Sequence, residues 1–107
     1  MSGPANGWRG EAVLEVEGTP HRLRPSFAAL VAAEEELGPL FALVERAGEG
    51  RLALAEMAAL FWHCLPAPHD LTRQQVGEAI AAHGLAACAP ALRTLLGQIL
   101  QGRGSGE

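Results

Sequence analysis

His63, Cys64, His69 and Asp70 fall within eight residues and form the densest group of potential metal ligands in the chain. A zinc site takes about four such ligands, usually as two clustered pairs. The second pair is missing, because Cys88 and His83 have the wrong local spacing. On a helix, His63 and Cys64 also point to different faces. The plainer reading is a core cysteine beside surface histidines near a loop, with no metal and no other cofactor. Cys64 is equally poor as a nucleophile. Thiol catalysis needs a base at hydrogen-bond distance and an accessible, polarised pocket, whereas Cys64 lies within an apolar stripe. The chain has no G-x-S-x-G, no Gly-rich phosphate loop after a strand and no H-E-x-x-H. Its residues point away from an enzyme.

Other side chains bear on binding instead. Glu34 projects amid Phe27, Leu30, Val31 and Leu37, where a buried carboxylate needs a partner. Arg9, Arg22 or Arg24 from the hairpin region is the expected partner; the competing reading leaves Glu34 at the rim of the stripe, in water. Trp62 lies off the Met57/Phe61 stripe, and Trp8 precedes the hairpin. Each is either half-covered core or, as exposed aromatics at interfaces often are, a contact for a partner. Trp8, Arg9 and Trp62 are the candidate contacts. His83, near a helix end on the apolar side, reads as a structural histidine.

These residues must be positioned by a chain of 107 amino acids, which can bury roughly 60–68% of its unfolded surface. Every basic residue is Arg and the net charge is −4. The Arg residues are scattered, so no basic stripe marks a phosphate-binding face and no nucleic-acid partner is expected. Cys64 and Cys88 both fall on apolar helix stripes and read as reduced thiols of a cytosolic protein. The first residues lack the basic and apolar regions of a signal peptide. No apolar run approaches the ~20 residues of a membrane span.

Hydropathy patterning gives an α+β fold: one N-terminal β-hairpin followed by four to five short packed α-helices. Residues 1–7 read as a flexible lead, 8–101 as one compact domain and 102–107 as a disordered tail. The first strand is Glu11 to Glu17, with Ala12, Leu14 and Val16 on one face. The second is His21 to Arg24, with Leu23 facing in. The expected register sets Leu14 opposite Leu23 and Glu15 opposite Arg22, with Gly18-Thr19 at the tip and Pro20 at the loop margin or an edge. Such a ribbon is marginal alone in water, so it lies on the helices or on another protein. Ser26 caps a helix from Phe27 to Leu37, and Gly38 stops it. Pro39 opens a second helix to about Ala47, with Leu40, Leu43 and Val44 inside. A third runs from about Ala55 to Leu65 on Met57, Leu60, Phe61, Cys64 and Leu65. Thr72 to Gln75 has capping-box spacing and opens a fourth, to about His83. Pro90 opens a fifth on Leu92, Leu95, Leu96, Ile99 and Leu100.

The order Asn6-x-x-Arg9-Gly10-Glu11, strand pair, Leu30-x-x-x-Glu34-x-x-Leu37-Gly38, His69-Asp70-Leu71-Thr72 and Ala91-Leu92-Arg93-x-Leu95-Leu96 resembles the small tail protein of gene transfer agents and related siphophage-like elements of alphaproteobacteria. Pro25-Ser26-Phe27 stands where that pattern has Thr-Leu-Gly. The resemblance covers about residues 5 to 100. It implies a gene between the major tail tube protein and the tape measure. It also implies a tail assembly chaperone that binds the tape measure and tail tube protein in the bacterial cytoplasm. The alternatives are a structural component retained in the virion tail and a small adaptor domain unrelated to phage. Self-association is also expected, because a two-stranded sheet leaves both edges unpaired.

Overall fold

The computed structural model describes residues 11–102. Strands β1 (Ala12–Val16) and β2 (Thr19–Leu23) form an antiparallel hairpin. Five helices follow: α1 (Phe27–Leu37), α2 (Leu40–Gly48), α3 (Leu54–His63), α4 (Arg73–His83) and α5 (Leu85–Gln101). The inward row of the hairpin, Ala12, Leu14, Val16 and Leu23, is buried and packs on α4 and α5 through β1. Helix α3 lies between α1 and α4 and buries Met57 through Phe61 without a break.

The strand register differs from the expectation by two residues. Leu23 lies opposite Ala12, Arg22 opposite Val13 and Pro20 opposite Glu15. A shift of two keeps every side chain on its face, so the apolar alternation cannot distinguish the registers. Proline can. In the expected register Pro20 would close the turn, where a ladder N–H is needed. In the observed one Val16 and Thr19 close it, and Pro20 falls at the next, non-bonded position. The tip is Glu17-Gly18, with φ of 53° and 86°, the two positive values of a type I′ turn.

The ends of α1 follow the sequence. Ser26 Oγ accepts from Ala29 N at 3.2 Å, and Gly38, at φ 93°, donates to Glu34 O at 2.9 Å. Its inner face does not follow. The buried residue of α1 is Ala33, with Ala29 and Leu37 beside it, while Phe27 and Val31 face outward. Apolar residues occur on both sides of this helix, so periodicity alone cannot select the core side. Packing against α3 selects the alanine side, where short side chains let two helices approach.

Thr72 and Gln75 form the reciprocal capping box of α4: Thr72 Oγ1 accepts from Gln75 N at 3.1 Å and Gln75 Oε1 accepts from Thr72 N at 2.8 Å. Gly84 alone separates α4 from α5, which meet at a bend of 119°. Pro90 does not open α5, which begins at Leu85 and carries Pro90 inside it. The Ala-rich run before Pro90 is helical by propensity. Ala86, whose carbonyl loses its i+4 donor, is exposed, so solvent is available to it. Of the expected α5 stripe, Leu95 is fully buried, Leu92, Leu96 and Ile99 pack on the core and Leu100 is half exposed.

Candidate partner-binding surface

The fold divides the histidine–cysteine cluster, burying Cys64 and leaving His63 and His69 against the ring of Trp62. Cys64 caps α3, and its carbonyl accepts from Arg24 N at 2.7 Å, which ties the hairpin exit to that helix. Its thiol is buried, and loss of hydration pushes its pKa up to about 12. That is the opposite of an activated thiolate. Cys88 is also a free, buried thiol, raised for the same reason. Among the described residues, no group of three or more His, Cys, Asp or Glu side chains is placed to hold a metal ion. His83 Nε2 lies 2.7 Å from Glu15 O and joins the end of α4 to β1.

Trp62 is half-buried, with its N–H donating to Leu71 O at 2.8 Å. The Arg73 guanidinium sits 4.8 Å from the centre of its ring, within cation–π range. The rings of His63 and His69 meet it edge-on at 5.2 and 5.7 Å. Glu36 completes the group: it pairs with Arg73 and, through Oε1, with His63 Nε2 at 2.8 Å. The cluster thus ties α1, α3 and α4 together around one tryptophan. Trp62 also lines a shallow groove with Arg24, Ala29, Pro66 and His69. Trp8 and Arg9 lie outside the described residues.

Hydrogen bonding by Arg73, then by His63, holds the Glu36 carboxyl below its ordinary 4.5. A lowered pKa adds stability that is fully present above the ordinary value and disappears as pH falls through the folded one. Glu36→Gln should therefore flatten part of the acid-side loss of stability. Urea midpoints compared between neutral and acidic pH would measure this; parallel profiles for the two proteins would refute it.

Glu34 is exposed, in agreement with the competing reading that leaves it at the rim, and of its expected partners Arg9 lies outside the described residues. No hairpin arginine pairs with it among the described residues; Arg22 bonds Glu11 at 3.3 Å. Because α1 turns its alanine side inward, Glu34 is exposed, and its Oε2 accepts from Leu40 N at 3.0 Å. Leu40 is the first residue of α2, and Pro39 offers that helix no side-chain cap. Glu34 therefore caps α2 from the preceding helix.

The same outward face of α1 carries a feature that sequence reasoning missed. Phe27 is 84% exposed and Phe41 77%, with Val31 and Leu100 also open. Leu30 and Glu34 of α1, Leu40, Phe41 and Val44 of α2, and the end of α5 enclose an apolar groove of about 190 Å³. The available signal was the second apolar side of α1: Ala29 and Ala33 offer an alanine face that can turn inward in place of Phe27 and Val31.

The described residues thus form a small α+β unit, a hairpin carried on five helices with several large apolar side chains left open. Residues 9–102 match the family described as phage tail tube protein, GTA-gp10, and the chain belongs to that family. No curated protein and no solved structure matches it. It is thus a phage-tail protein of the gene transfer agent type, and the reading as an adaptor unrelated to phage is set aside. Among the described residues, no single helix is long and apolar enough to cross a membrane.

Proposed function

We propose that this chain is a tail-assembly chaperone that acts in the host cytoplasm, binding the tape measure and tube subunits before they join the particle. The observation that carries this reading is the open apolar groove lined by Phe41, with Phe27 exposed on the same side of α1. Contiguous exposed apolar surface marks an interface, and a chaperone needs one that closes reversibly on an apolar helical client. Trp62, at its own groove, is a further proposed contact. Trp8 and Arg9 are proposed on residue type alone.

A second reading has its own support. The family description is of a tube protein, and β2 pairs with no strand but β1 among the described residues, so its outer edge is a place for strand addition, the means by which a retained subunit would join its neighbours. Quantitative mass spectrometry separates the two. Purified tails and the lysate of producing cells are compared, with this chain counted against the major tube protein. Abundance in the lysate with near absence from tails supports the chaperone. A near-stoichiometric amount in tails overturns it in favour of the retained subunit.

A further inference from the structure

The groove between α1, α2 and α5 is apolar at its walls and acidic at its rim. Its volume of about 190 Å³ is below the ~300–1,000 Å³ of small-molecule pockets and suits one or two inserted side chains. Phe27 and Val31 continue the wall along α1, because they precede Leu30 and Glu34 by three residues and share their side of the helix. Glu34 lines the groove. Only one of its oxygens is engaged, by Leu40 N; the other has no partner among the described residues. Glu35 follows Val31 by one turn and Glu45 follows Phe41 by one turn; both are exposed. Against these three carboxylates α5 brings one guanidinium, Arg93, two turns before Leu100 on the same side. Arg46 of α2 is committed elsewhere, to Glu56 at 2.8 Å.

We infer that this groove receives one amphipathic α-helix of the client, whose apolar stripe is flanked by Lys or Arg. A helix laid in a groove is read through side chains one turn apart, which is the spacing of the row from Phe27 to Glu34. The acidic rim selects the flanks of the ligand by charge complementarity. It also disfavours a second copy of this chain: the net charge is −4 and the face that would insert carries the same glutamates. The inference rests on the chaperone reading for the source of the helix, not for its chemistry.

The test uses the full chain and two probes. One is a set of overlapping peptides from the tape measure of the same element, each about 20 residues or roughly 30 Å as a helix. The other is a designed helical peptide with leucines on one side and lysines beside them, paired with a version carrying glutamates for lysines. Binding is read by fluorescence anisotropy. The expected binders are amphipathic and basic, and added salt weakens them. Phe27→Ser and Phe41→Ser should each weaken binding at least ~10-fold, as truncated anchors do. Leu54→Ser and Leu85→Ser, at apolar residues also exposed, should leave it unchanged, with circular dichroism confirming that all four variants fold. Tape-measure binding that survives both Phe variants overturns the groove and leaves the chaperone reading standing. Phe41-dependent binding of the lysine peptide alone keeps the groove and removes the tape measure as its source. Failure to bind either probe, or equal binding of the glutamate version, overturns the inference. So does a homodimer that Phe41→Ser dissociates.

Discussion

Phe61→Ala is expected to lower the free energy of unfolding by about 3–5 kcal/mol, the usual loss when a buried phenylalanine is truncated. Phe61 is fully buried and is the largest side chain in the core. It sits in α3, which contacts both α1 and α4. The loss belongs at the upper end of that range because of how the core is composed. Ala12, Ala33, Ala58, Ala59 and Ala79 make up much of the buried set, and alanine has no rotamer with which to reach into a void. The cavity therefore persists, and its walls lose contacts outright. Domains of ordinary stability have only ~5–15 kcal/mol in hand, so the variant should be close to unfolding at physiological temperature. Urea denaturation followed by far-UV circular dichroism measures it. Phe61→Leu, which keeps most of the volume, should cost well under half as much. A loss below ~1 kcal/mol for Phe61→Ala would place the centre of the core elsewhere.

Much of this architecture is legible before any coordinates, and the reason is local chemistry. Ser26, Gly38, Thr72, Gln75 and Gly84 mark helix ends by side-chain or backbone requirements that act within a few residues, and each lies where those requirements place it. The α3 stripe is legible because its large apolar residues share one face, and Met57, Leu60, Phe61, Cys64 and Leu65 are all buried. What is hard to read is whatever depends on a choice between equivalent local options. The hairpin pattern is satisfied by registers two residues apart, and the missing N–H of Pro20 decides between them. Helix α1 has two apolar sides, and the contact with α3 decides which is buried. That second choice also hid the candidate site. Once Phe27 and Val31 are assigned inward, Glu34 becomes a buried carboxylate in want of an arginine; in the folded chain it is an exposed carboxylate that caps α2. The Trp62 cluster draws residues from α1, α3 and α4, and no short-range pattern announces such a contact.

Gly84→Ala should cost about 1–3 kcal/mol, although an added methyl group there would touch nothing. The cost is conformational. Gly84 has φ 95° and ψ 145°, a region that residues with a Cβ scarcely enter. It cannot relax cheaply, because it serves two helices at once: its N–H donates to Ile80 O at 2.8 Å and its carbonyl accepts from Cys88 N at 3.2 Å. Any relief of φ breaks one of these bonds or alters the 119° bend. Gly97→Ala is the matched control. Gly97 lies inside α5, has no left-handed φ and also has open space around a new Cβ. There the same methyl group should stabilise by ~0.5–1 kcal/mol, because alanine loses less chain entropy in a helix. Opposite signs in urea midpoints are the expected result. Two losses of similar size would mean that crowding, not backbone conformation, controls both sites. The bend also aims α5, whose last turn supplies Ile99 and Leu100 to the groove. Gly84→Ala should therefore weaken client binding more than its distance from the groove suggests, whereas Gly97→Ala should leave it intact.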